Sequence, residues 1–67
     1  MTKLNEAAKA VARLIAERDD LDIEDAEALV EEAIEMCEAA IHAGDDPEGI
    51  WMEETGLEPD YMLEVLL

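Results

Sequence analysis

This chain predicts an all-α fold: an antiparallel helical hairpin followed by two short C-terminal helices, packed as a small bundle and expected to be dimeric. Three observations predict it. Apolar residues recur at intervals of three and four across residues 4–15 and 23–41. The breaks between these runs are of helix-cap type, with Asp22, Gly44, Asp46-Pro47 and Gly56. Eleven alanines raise helix propensity along the chain. With 67 residues there is room for one domain, 1–67. So short a chain buries little core, and this is the reason to expect a second copy.

The first helix is expected over residues 2–18. Thr2 is its expected N-cap, and Glu6 stands too far along to close a capping box with it. Leu4, Ala8, Val11 and Ile15 form the apolar stripe, widened by Ala7 and Leu14. Lys9, Arg13 and Glu17 lie opposite, with Arg13 and Glu17 at ion-pair spacing. Arg18 suits the negative pole of the helix dipole. Asp19-Asp20-Leu21-Asp22 then breaks the pattern, because aspartate favours turns and caps over helix interiors.

The second helix is expected over 23–43, capped by Asp22 and with Glu24 and Asp25 in its first turn. Ile23, Ala26, Val30, Ala33, Ile34, Cys37, Ala40 and Ile41 share one side, joined at its margin by Leu29 and Met36. Glu24, Glu27, Glu31, Glu35, Glu38 and His42 occupy the other. Gly44 is placed to end the helix in the left-handed conformation. Asp46 and Pro47 then open a two-turn helix over 47–55, closed by Gly56, with Leu57 making the apolar contact after the cap. Glu58 or Pro59 opens the last helix, whose apolar set is Tyr61, Met62, Leu63, Val65, Leu66 and Leu67. Ile50, Trp51, Met52 and Leu57 are expected to fold the C-terminal pieces onto the hairpin.

Charge is divided by position. The formal net charge is −16. All four basic residues, Lys3, Lys9, Arg13 and Arg18, fall in the first 18 positions, which hold two acids and net +2. Residues 19–67 hold 18 acids and no Lys or Arg, a net of −18. Such a balance excludes direct binding to nucleic acid and to anionic membranes. No uncharged run approaches the roughly 20 residues of a membrane span, and the N-terminus meets charge at once, unlike an export signal. The single cysteine, Cys37, allows neither an internal disulfide nor a cysteine zinc cage and fits a cytoplasmic setting.

Two function classes follow from the acid. Eight carboxylates lie between Asp22 and Glu38, about one per 3 Å of helix axis, near the 3.4 Å charge spacing of one DNA strand. By analogy with small viral DNA-mimic inhibitors, a helix so decorated is expected to suit a groove built for nucleic acid. On this reading Glu24, Glu27, Glu31, Glu35 and Glu38 dock on the basic surface of a nucleic-acid-binding protein. The alternative is a self-associating structural or assembly protein whose acid serves solubility, as on a halophile's surface. Its interface would draw on Trp51, Met52, Tyr61, Met62 and Leu66, which are hard for a small chain to cover. Slightly basic first helices could then pair with acidic second helices across the interface.

Residues 50–65, Ile-Trp-Met-Glu-Glu-Thr-Gly-Leu-Glu-Pro-Asp-Tyr-Met-Leu-Glu-Val, resemble a helix-turn-helix in outline. The resemblance stops where DNA would be read. Met52 replaces the small residue usual in the first helix, and the second helix has no Arg, Lys, Asn or Gln, while Glu58, Asp60 and Glu64 would repel phosphates. Enzymatic chemistry is not expected either. Glu31, Glu35, Glu38 and His42 share a face, but Glu38 stands four residues before His42, with no second motif to complete a helical di-metal site. Cys37 lies mid-stripe in the expected core without a basic partner. No Ser/His/Asp set, phosphate-binding glycine loop or EF-hand spacing is present. No cofactor or metal is expected.

Overall fold

Asn5 caps the first helix. The structure, a computed structural model, describes residues 5–66, and its helices are α1 (Glu6–Asp19), α2 (Ile23–Ala43), α3 (Pro47–Thr55) and α4 (Pro59–Leu66). Thr2, the expected cap, lies outside the described residues, as do Leu4 and Leu67. The Asn5 side-chain oxygen accepts the Ala8 N–H at 2.8 Å, as an N-cap should. Its amide nitrogen donates to the Val65 carbonyl at 3.0 Å, so one side chain starts α1 and ties it to α4. No helix among the described residues is long and apolar enough to cross a membrane.

The aspartate run forms the turn it was expected to form. Asp20 takes the left-handed conformation, φ 55°, and the Asp20 and Leu21 N–H groups both return to the Ala16 carbonyl. Aspartate tolerates that region better than most residues with a Cβ. Asp22 has the extended backbone of an N-cap, although its carboxylate makes no capping hydrogen bond. Gly44 (φ 80°) and Gly56 (φ 71°) end α2 and α3, and Asp46 caps α3 by accepting the Glu48 N–H. At Gly56 a Cβ would also come within 2.9 Å of the Arg18 guanidinium, which lies against the end of α3. That helix has no basic residue of its own in its last turn. Arg18 thus serves the negative poles of two helices.

α2 is the central element and packs on both α1 and α3, while α4 lies against α1, α3 and α2. The smallest dimension of the molecule, 16 Å between Cα extremes, is that of two helix layers about 10 Å apart. Small residues permit the close packing. Ala8 and Ala12 of α1 and Ala26, Ala33 and Ala40 of α2 are all buried, interleaved with Val11, Ile15, Val30, Ile34 and Cys37. Trp51 is the largest fully buried side chain, and Met62 and Val65 bring α4 onto the same core.

The apolar stripes are narrower in space than in sequence. On α2 the buried arc runs from Ala26 to Ala40, while Ile23 (42 % exposed) and Ile41 (52 %) lie outside it at the two ends. α2 is about 31 Å long against about 21 Å for α1, so the longer helix outruns its cover. Leu14, Met36, Met52 and Leu63 also face solvent. Met52 therefore does not join Ile50, Trp51 and Leu57 in closing over the core. Arg13 and Glu17 do not form the ion pair their spacing suggests; Arg18 and Asp19 pair instead, at 2.9 Å. A base preceding an acid by four residues is the less favourable order along a helix.

Candidate binding surface

The acidic face is built by the register of α2. Positions 24, 27, 31, 35 and 38 advance by 3, 4, 4 and 3 residues and stay within about 80° of one another around the axis. The core-facing residues Ala33 and Cys37 lie across the helix from them, so burying that arc turns the glutamates outward. Glu24, Glu35 and Glu38 are exposed, and Glu27 and Glu31 are partly buried. The five span about 21 Å, about one charge per 5 Å. That is sparser than the count of eight over the same stretch, because Asp22 sits at the cap and Asp25 and Glu32 point to a different side. Ala28 leaves a shallow depression among Glu31, Glu32 and Glu35.

A second acidic surface lies at the start of α4. Glu58, Asp60 and Glu64 line a depression with Tyr61. α3, the Gly56 turn and α4 follow one another as helix, turn and helix, and the exposed residues of α4 are Asp60, Tyr61, Leu63 and Glu64. A surface so charged repels phosphate.

The five residues expected at a self-association interface do not share an exposed surface. Trp51 and Met62 are buried in the chain's own core and Leu66 packs at its edge. Met52 is exposed, and Tyr61 sits among carboxylates. The reason is the alanine-rich core: with so little bulk in α1 and α2, the chain uses its tryptophan and a methionine to fill itself. The Trp51 indole N–H donates to the Glu58 carbonyl at 3.0 Å, which fixes the α3–α4 turn. Thr55, buried beside it, donates to the Trp51 carbonyl at 2.7 Å and accepts the Leu57 N–H at 3.2 Å. Sequence pattern missed Thr55; its place one residue before a capping glycine was the available signal.

Cys37 is buried, and its thiol donates to the Pro47 carbonyl at 3.5 Å. Burial, then the Glu38 and Glu54 carboxylates, push this thiol above its ordinary pKa, the opposite of what a nucleophile needs. Glu31, Glu35, Glu38 and His42 do not assemble into a ligand set, and no cluster of three or more metal-binding side chains occurs among the described residues.

One feature lay outside the sequence pattern. Between α2 and α3 runs a shallow apolar trough, lined by Met36, Ala39, Ala40, Ala43 and Ile50 with Asp45 at its edge, about 340 Å³ in volume. Ala39 and Ala43, small residues four apart on the flank of α2, were the available signal. No protein-family model, curated protein or solved structure matches the chain.

Proposed function

We propose that this protein is a non-enzymatic acidic binding module that occupies the nucleic-acid-binding surface of a basic partner, as phage-encoded inhibitors of host defence or DNA-processing proteins do. The observation that supports it is the outward arc of α2, with a glutamate at every turn from Glu24 to Glu38 and no Lys or Arg after Arg18. Carboxylates in a row repel one another, so their accumulation on one rigid helix is the property a basic groove would select. Steering by a charge of this size would speed association and make it steeply salt-dependent. Its place of action on this reading is the cytoplasm of the cell that holds the partner. Self-association has less support, since Trp51 and Met62 are already spent inside the chain.

The test is affinity capture from the source cell, with the wild type beside Glu24→Lys/Glu31→Lys/Glu38→Lys. The expected result is a nucleic-acid-binding protein held by the wild type at low salt, released at moderate salt and not held by the variant. Equal capture by both forms, with unchanged salt dependence, would refute the proposal.

A further inference from the structure

The trough between α2 and α3 carries an inference separate from the acidic face. Two adjoining depressions share Met36 and Ile50. One continues over Ala39, Ala40 and Ala43 to Asp45, and the other ends at Glu53 and Glu54. Together they form a strip with an apolar floor and carboxylates at both ends. The floor is open to solvent: Met36 is 39 % exposed, and Ala39 and Ala43 are exposed. A larger residue at 39 or 43 would fill the strip, so the two alanines keep it vacant. From Met36 to Ala43 the strip is about 10 Å long, two helical turns.

These features define the occupant. An apolar strip two turns long matches two aliphatic side chains at positions i and i+7 of an incoming helix, and an exposed methionine adapts to either. The carboxylates at both ends call for Lys or Arg beyond each anchor. Asp45, Glu53 and Glu54 join no ion pair among the described residues and are available to such a partner. A second copy fits poorly, because it would bring another net charge of −16 against these three acids. We infer that the α2–α3 trough binds an amphipathic helix of a partner protein, with two aliphatic anchors flanked by basic residues.

The probe is a fluorescein-labelled synthetic helix of Leu, Ala and Lys, about 14 residues long, with leucines at i and i+7. Its control has the same composition with the leucines scattered around the helix. Binding to the full chain is read by anisotropy, and the contact is mapped on the methyl signals of Met36, Ile50, Ala39 and Ala43. The patterned helix is expected to bind at least about tenfold more tightly than the scattered one. It should move those four methyl signals and lose about tenfold in affinity to Ala39→Arg, with helix content unchanged by circular dichroism. Gln at Glu24, Glu31 and Glu38 together should cost it only about twofold, through general charge. Equal binding of the two peptides, or a methyl shift confined to Ala28 in the acidic depression, would overturn the inference. So would concentration-dependent shifts at the four trough methyls without peptide, which would assign the strip to a second copy. None of these outcomes touches the capture test of the acidic face, so the two proposals fail separately.

Discussion

The inner and outer arcs of α2 belong to one helix yet answer to different demands. The inner arc, Ala26, Val30, Ala33, Cys37 and Ala40, meets α1 and α3 and is almost fully buried. Its side chains are small because two helices must approach it closely. The outer arc, Glu24 to Glu38, adds like charges three and four residues apart, an arrangement that weakens a helix by about 0.2–0.5 kcal/mol per pair. What folds the protein and what we propose it binds with are therefore separable, position by position. Substitutions on the inner side should be felt in stability, and substitutions on the outer side in partner binding.

The strongest way to break that separation is at Trp51. A 67-residue domain is stable by about 3–10 kcal/mol, and truncating a buried tryptophan costs about 3–5 kcal/mol. Trp51→Ala should therefore lose most of its helical circular dichroism at 37 °C, and a variant that melts like the wild type would show that the core lies elsewhere. Next comes Asn5. Asn5→Ala removes a cap and the bond to Val65 and should cost about 1–3 kcal/mol in urea unfolding. Asn5→Ser should restore the cap alone, leaving a deficit of about 1 kcal/mol for the lost tie to α4.

The outer arc should behave in the opposite sense. Glu31→Gln/Glu38→Gln removes the like-charge pairs with Glu27 and Glu35 and should raise stability by about 1 kcal/mol at low salt. Sodium chloride should do the same for the wild type, raising its melting temperature while it loosens partner binding. A lower melting temperature in the double variant would mean that the outer acids help to hold the fold. The smallest effect belongs to Asp19. The hydrogen bonds from Arg18 hold its carboxyl below the ordinary range, so its contribution is present above pH about 4 and fades as pH falls through the lowered value. The wild type should lose slightly more stability than Asp19→Asn between pH 5 and pH 2, measured by thermal melts. The pair is exposed, so the difference should be small.

Helix boundaries were legible where caps announce them. Asp22, Gly44, Asp46-Pro47 and Gly56 placed the ends of α2 and α3 because each has a backbone or side-chain preference that acts locally. The acidic face was legible for a similar reason, since register along one helix needs no tertiary information. What could not be read was set by partners distant in sequence. Asn5 was hidden because half its role is an acceptor 60 residues away. Periodicity placed Ile23 and Ile41 on the apolar side of α2, but only the lengths and positions of the neighbouring helices decide which apolar residues find cover. The trough arises from Met36 and three alanines on one helix and an isoleucine on another, a combination that no single-helix pattern contains.

Displacement of nucleic acid by the acidic face of α2 is the decisive measurement. A captured partner would be loaded with a fluorescent duplex or single strand, whichever it binds, and the 67-residue chain titrated in at low salt. Stoichiometric release of the nucleic acid is expected from the wild type and none from Glu24→Lys/Glu31→Lys/Glu38→Lys. A ternary complex that keeps its nucleic acid while the wild type is bound would contradict the proposal, because the acidic face of α2 would then not occupy the surface that nucleic acid uses.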